Sequence, residues 1–262
     1  MVIVMMFIKN MGVLKPKIII FDLDGTLVEM IPEHAVMLFC NFIQSLGLTS
    51  SPKEAKECYS KGYEEWCIMK DTLNGRKKYL KLWELCFRNI PDVDPIKMAY
   101  TYQKIHEENC LDTLYADVLP TLQALHKRFK LGIFSERTST AIRNCLNRHN
   151  LYGYFDFYVS ASDIDAVNAK LSNKAWSVLM EKVNEYEWID DDDGSDDNDN
   201  YYPNLKNKVL YIGDDCLTDI LNGYKHSIPS ILIDRKHKYA NNRNAELVII
   251  TSLNELVLLM DE

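Results

Sequence analysis

Asp22 and Asp24 stand one residue apart at the end of the run Lys17-Ile18-Ile19-Ile20-Phe21, and Gly25 and Thr26 follow them. Two carboxylates at this spacing can divide a reaction, one attacking as a nucleophile and the other moving a proton. An uninterrupted apolar run suits a parallel strand covered on both faces, and ligands bind beyond the carboxyl ends of such strands. Gly25 lets the backbone turn and leave amides open to an anion, and Thr26 can hydrogen-bond the acidic group before it. The bland reading is a strand closing in an ordinary Asp-Gly turn.

Three further segments follow in order. Leu131-Gly132-Ile133-Phe134-Ser135 is an apolar run ending in a hydroxyl, and Phe155 to Ala161 is a short strand followed by Lys170. Val209-Leu210-Tyr211-Ile212 runs into Gly213-Asp214-Asp215, with Asp219 four residues on. Together with Asp22 to Thr26, these segments resemble the four motifs of the haloacid dehalogenase superfamily of aspartate-nucleophile phosphotransferases, over residues 16 to 235. The expected Lys-Pro-x-Pro pattern lacks its prolines here. Lys174 therefore rivals Lys170, although the position of Trp176 favours Lys170.

The resemblance implies roles. Asp22 is the nucleophile and Asp24 the acid and base, while Lys170 neutralises charge on the transferring group. Gly25, Thr26, Ser135, Glu136 and Arg137 surround the phosphate. Asp22, the Asp24 backbone carbonyl, Asp214 and Asp215 hold a divalent cation, with Asp219 supporting them. Magnesium is the expected ion, because it prefers hard oxygen ligands and retained water. Each residue also has a plainer reading: Ser135 as a helix N-cap, Lys170 and Lys174 as solvated surface, and Asp219 as a partner of a helix dipole. Glu136 departs from the small or amide residue usual there, and a carboxylate beside phosphate weakens binding unless Arg137 pairs with it.

The bulk properties suit an ordinary enzyme. The chain has 262 residues, 47% of them hydrophobic, enough for a substantial core and a sizeable insertion. Seven scattered cysteines without a CxxC pair argue for reduced thiols and a cytoplasmic setting. Residues 1–10 are apolar but too short to span a bilayer and are expected to be a flexible extension, with Met11 an alternative beginning. No membrane association is expected. Seven aspartates between Asp190 and Asp199 supply most of the net charge of −8, and the rest of the chain shows no basic footprint for nucleic acid. Residues 189–203 read as a disordered acidic insertion, and their spacing does not fit an EF-hand.

Strand patterns fall at residues 16–24, 130–135, 155–160, 208–213, 229–234 and 246–250, most of them followed by helical periodicity. The predicted fold is α/β, a doubly wound, mostly parallel, Rossmann-like sheet. Helical patterns at 33–46, 53–71, 76–89 and 95–109 predict an inserted cap over residues 30–111, between core segments 1–29 and 112–262. A further helix at 116–128 returns to the core. A helical cap at this place resembles the type 1 subclass. Tyr63, Trp66, Tyr79, Trp83 and Phe87 read as cap core rather than substrate box, and Lys70, Arg76 and Lys77 are loose substrate-binding candidates. The expected function is a magnesium-dependent phosphatase acting on a small phosphorylated metabolite through an aspartyl-phosphate. A sugar phosphomutase resembling β-phosphoglucomutase keeps both aspartates and is the alternative. A non-catalytic scaffold that binds a basic partner through the acidic tract is the third reading. Haloacid dehalogenases lack the second acid, and phosphonate-cleaving relatives replace it, so Asp24 counts against both.

Overall fold

The computed structural model describes residues 16–70, 75–109, 111–164, 169–187, 208–239 and 247–261. The expected extension at 1–10 and the acidic insertion at 189–203 lie outside them. Strand β1 (Ile18–Phe21) turns into β2 (Val28–Met30), and four helices follow: α1 (Pro32–Ser45), α2 (Pro52–Met69), α3 (Gly75–Phe87) and α4 (Pro95–Asn109). The chain returns through β3 (Asp112–Leu114), which pairs antiparallel with β2. It continues through α5 (Val118–Leu125), β4 (Lys130–Ser135), α6 (Ser139–Arg148), β5 (Phe157–Ser160), α7 (Asn173–Glu187) and β6 (Val209–Gly213). A π-helical turn (Cys216–Leu221) passes directly into α8 (Asn222–Lys225), and β7 (Ser230–Ile233), β8 (Ile249–Ile250) and α9 (Leu253–Asp261) complete the described chain.

The large sheet is parallel, with strand order β5-β4-β1-β6-β7-β8. The chain works outward from β1 through β4 to β5, then crosses to the other side of β1 at β6. That reversal opens a crevice between the carboxyl ends of β1 and β6, where doubly wound folds bind ligands. The register sets Phe21 beside both Ile133 and Ile212, so Asp22 and Gly213 leave the sheet at one level.

The apolar run of β1 is continuous because both its faces are covered. Ile19 and Phe21 pack with Leu131, Ile133 and Ile212 under α5, α6 and α9, while Ile18 and Ile20 pack with Phe134, Tyr211 and Trp176 under α7. Helices α1–α4 have a separate core around Phe39, Trp83, Phe87 and Tyr102. Their starts are written locally. Ser51 accepts from the Glu54 N–H at 3.2 Å while Glu54 accepts from the Ser50 N–H at 2.7 Å, and Pro52 opens α2. Asp94 accepts from the amides of Ile96 and Lys97 at the start of α4.

The expected elements are present with shifted ends. The first strand is confined to Ile18–Phe21, the last to Ile249–Ile250, and the helix expected at 116–128 to Val118–Leu125. The β2–β3 ribbon is an addition. Its strands, Val-Glu-Met and Asp-Thr-Leu, are too short and too polar to carry an alternating signal.

Candidate functional site

Asp22 follows β1 directly, and its backbone N–H donates to the Ile212 carbonyl at 2.8 Å, locking the end of β1 to β6. The next turn is tight, with the Gly25 N–H donating to the Val28 carbonyl. Gly25 has φ of +76°, and a Cβ there would lie 2.2 Å from Asp214 Oδ2. Only glycine permits both the backbone conformation and the close approach of Asp214. Across the crevice, a Cβ on Gly213 would lie 2.4 Å from the Asp219 carboxyl group.

Lys170 is buried at the centre. Its Nζ donates to Asp22 Oδ1 at 2.5 Å, Asp219 Oδ1 at 2.8 Å and the Tyr211 hydroxyl at 3.0 Å. Its carbonyl accepts from Trp176 Nε1 and Asn222 Nδ2, and its N–H donates to Glu136 Oε1 at 2.8 Å. Lys174 is on the surface. Of the two lysines, Lys170 is the one that reaches the acidic cluster, and Glu136 has a use beside it: this carboxylate fixes the backbone that carries the lysine.

Asp22, Asp214 and Asp219 bring carboxylate oxygens within 4.8 Å of one another. Three carboxylates around one ammonium leave surplus negative charge in a buried place. Burial, opposed by Lys170 and reinforced by Asp219 and Asp214, raises the pKa of Asp22 well above the usual carboxylate range. Burial and then Asp219 push Asp214 up to about 6. Lys170 remains charged because Asp219 and Asp22 outweigh the effect of its burial. A cluster of oxygen donors with excess negative charge fits a hard divalent cation. A second group, Asp112, Cys145 and His149, also converges. Its carboxylate is already neutralised by Arg137 at 2.5 Å and Arg148 at 2.9 Å.

The other expected residues divide. Ser135 is buried beside Glu136 and lines the same cavity as Asp22, Asp24, Gly25, Lys170 and Asp214. It does not cap α6, because Thr138 does so by accepting from the Ala141 N–H. Asp219 joins Asp22 and Asp214 in the acidic cluster, and Asp215 lines the same cavity. The Asp215 Oδ1 accepts from the amides of Leu217 and Thr218 and so caps the π-helical turn. The expected Thr26 bond to Asp24 is absent among the described residues. The Thr26 hydroxyl is buried without a partner, and its carbonyl accepts from Arg235. Arg137 does not pair with Glu136, as the phosphate reading required, but forks onto Asp24 at 2.9 and 2.6 Å.

The cavity over the site has a volume of about 390 Å³. Its wall includes Glu29, Tyr79, Tyr115, Lys236 and Lys238, none of them singled out in the sequence, apart from Tyr79 as an expected cap-core ring. Tyr79 in fact faces both this cavity and a neighbouring one of about 60 Å³ lined by Asp24, Arg137, His106 and Arg148. Trp66, Trp83 and Phe87 are core as expected, whereas Tyr63 is exposed. Lys70 lies over the Trp66 ring, Lys77 is exposed, and neither is in the wall of these two cavities. The Arg76 side chain lies outside the described residues. Lys236 pairs with Glu29 at 2.8 Å, and Lys238 Nζ stands 4.0 Å from Asp214. The run Arg235-Lys236-His237-Lys238, placed directly after β7, was the available signal.

The sequence profile of the haloacid dehalogenase-like hydrolases matches residues 19–193. No curated protein sequence matches the chain. Among solved structures, a HAD-hydrolase from Bacillus subtilis bound to magnesium is similar with a TM-score of 0.62 and 15% identity, over 95% of this chain and 100% of that one. A HAD phosphatase from Thermococcus onnurineus gives 0.57 and 21%, over 93% and 97%. A 2-haloacid dehalogenase from Pseudomonas syringae pv. Tomato DC3000 gives 0.60 and 18%, over 94% and 100%. At these identities the likeness establishes a shared fold.

Proposed function

The chain belongs to the haloacid dehalogenase-like hydrolases, and on that footing we propose that it is a magnesium-dependent phosphatase that hydrolyses a small phosphorylated metabolite through an aspartyl-phosphate on Asp22. The observation that carries this reading is the separation of the two aspartates into different surroundings. Asp22 joins Lys170 and the acidic cluster, whereas Asp24 lies outside that cluster against Arg137. Titratable groups held in unlike environments can take unlike roles. A dehalogenase has no leaving alkoxide to protonate, so the placement of Asp24 favours phosphate transfer over dehalogenation.

Asp22 attacks phosphorus, and the bond to the leaving oxygen breaks as Asp24 gives that oxygen a proton. Asp24 then takes a proton from water, which attacks the phosphorus and releases Asp22 and inorganic phosphate. Ser135 and nearby amides hold the phosphate oxygens, and Lys170 balances charge on the transferring group. Asp22, the Asp24 carbonyl and Asp214 would hold the magnesium, with Asp219 behind them. That ion would shield the anionic nucleophile from the anionic substrate. Residues 30–111 serve as a cap domain that selects the substrate over the core. A cytoplasmic setting belongs to the same reading and is supported by the free thiols of Cys40, Cys58, Cys67, Cys86, Cys145 and Cys216. No described helix is long and apolar enough to cross a membrane.

Phosphate release from a panel of phosphorylated metabolites, with magnesium and with excess chelator, tests the proposal. Magnesium-dependent release supports it. Isomerised sugar phosphate without release would identify a phosphomutase, and a folded chain that turns over nothing would favour the scaffold.

A further inference from the structure

We infer that Arg137 is the positioning residue for Asp24, and that Asp112 ties this pair to the strands through which the helical insertion enters and leaves. The inference rests on the proposed role of Asp24 as the acid. It replaces the phosphate-binding role that the sequence suggested for Arg137.

The geometry is specific. Arg137 Nε and Nη2 grip the two oxygens of Asp24 at 2.9 and 2.6 Å, which is the bidentate fork that guanidinium makes with carboxylate. The remaining arm, Nη1, donates to Asp112 Oδ2 at 2.5 Å. The root of Arg137 is equally fixed, because its N–H donates to Ser135 Oγ at 3.1 Å and its carbonyl accepts from the Ser160 hydroxyl at 2.7 Å. The guanidinium is nine-tenths buried and the Asp112 carboxylate fully so. Asp112 is held in turn by Arg148 at 2.9 Å and His149 at 2.6 Å.

Arg137 is absent from the wall of the larger cavity that contains Asp22, Ser135 and Lys170. It lines the smaller cavity, and Asp24 stands in the walls of both. Asp112 opens β3 and pairs with Met30 of β2. The chain Asp24–Arg137–Asp112 therefore joins the aspartate turn to the base of the insertion. A shift of those strands moves the anchor of Arg137 and, through it, the Asp24 carboxylate. One guanidinium sets the acid and also reports the position of the cap strands.

The test uses the full chain and single-turnover release of the leaving alcohol from an alkyl phosphate and from p-nitrophenyl phosphate. Nitrophenolate leaves without needing a proton, so only the alkyl ester depends on a well-placed acid. Arg137→Gln should slow alkyl release at least ~10-fold more than nitrophenol release, within the range that general acids contribute. Inhibition by inorganic phosphate should stay within about twofold, Asp112→Asn should give the same pattern more weakly, and Arg137→Lys should recover part of the loss. Equal losses on both esters, or a ~10-fold weaker inhibition by phosphate, would return Arg137 to structure or to phosphate binding and overturn the inference. A double-mutant cycle in urea between Arg137→Gln and Asp24→Asn reads the pair without turnover, and coupling of about fivefold or more in the folding equilibrium is expected. Coupling in a chain that hydrolyses no phosphate ester would defeat the proposed function and leave the bridge standing. Absence of coupling would defeat the bridge whatever the activity.

Discussion

Replacing Lys170 with Met removes the ammonium shared by Asp22, Asp219 and Tyr211 while keeping a chain of similar length. The Nζ makes hydrogen bonds of 2.5, 2.8 and 3.0 Å in a side chain that is 3% exposed. Deleting one partner of a buried ion pair costs about 3–5 kcal/mol, because the carboxylates left behind stay in low dielectric. That is a large fraction of the 5–15 kcal/mol by which domains are typically stable. Urea unfolding in excess chelator reads this loss without interference from bound cations. A second change, Asp219→Asn, removes one stranded charge and should return part of the stability. Activity should not return, since the double variant still lacks the cation beside the transferring group, and losing one such electrostatic contact slows turnover by ~10²–10³-fold. Lys174→Met, at an exposed position, should stay within about 0.5 kcal/mol of the parent. Two results would refute this reasoning: a Lys170→Met chain as stable as the parent in chelator, or one that keeps a tenth of its turnover.

Asp22→Asn should abolish turnover while preserving the fold, and trapping with phosphate or beryllofluoride should label the peptide spanning residues 17–29 in the parent; a label on Asp214 would reassign the nucleophile. His106 packs against Trp83 at 4.8 Å, and burial, followed by the charge of Arg137, lowers its pKa to about 4. Its folded value lies below the ordinary 6.5, so the unfolded chain takes up the proton first. The stability it contributes is complete above about pH 6.5 and is lost as pH falls toward 4, by about 1–2 kcal/mol after discounting for a partly open ring. His106→Phe should flatten that part of the urea-midpoint against pH curve, and an unchanged slope would show that His106 is not the source. Deleting residues 190–200 should leave kcat and magnesium affinity within a few-fold, because the tract belongs to none of the four motifs; a large loss of metal affinity in a folded deletion variant would place it in the site.

The sequence carried the site wherever a residue's neighbours along the chain reveal its surroundings. The apolar runs before Asp22, Ser135 and Asp214 require covered strands, and their carboxyl ends require a common edge. Lys170 was placed by its distance from Trp176, and that ring does hold the Lys170 carbonyl. Contacts that cross the chain were not legible. Nothing near Arg137 points to Asp112, 25 residues away. Tyr211 reads as one more apolar strand residue, although its hydroxyl donates to Asp219. Tyr79 sits in a stripe of rings, and periodicity shows that such a stripe faces something without showing what. Asp214 and Asp215 are adjacent carboxylates whose different surroundings a string does not show. The backbone separates them, turning one into the crevice and the other onto the amides of its own helix.

The paired strands β2 and β3 also bear on how the chain finds its structure. Ile18 must meet Lys130 across more than a hundred intervening residues before the sheet can start, and closing so long a loop costs entropy that slows assembly. The insertion has its own core, and its two ends meet where Met30 pairs with Asp112. Once those helices have collapsed, the ribbon short-circuits the intervening chain, and β1 approaches β4 across two short links, residues 22–27 on one side and residues 115–129, with α5, on the other. Weakening the ribbon should therefore slow folding more than it speeds unfolding, so that a segment at the mouth of the site also sets the pace at which the sheet beneath it forms.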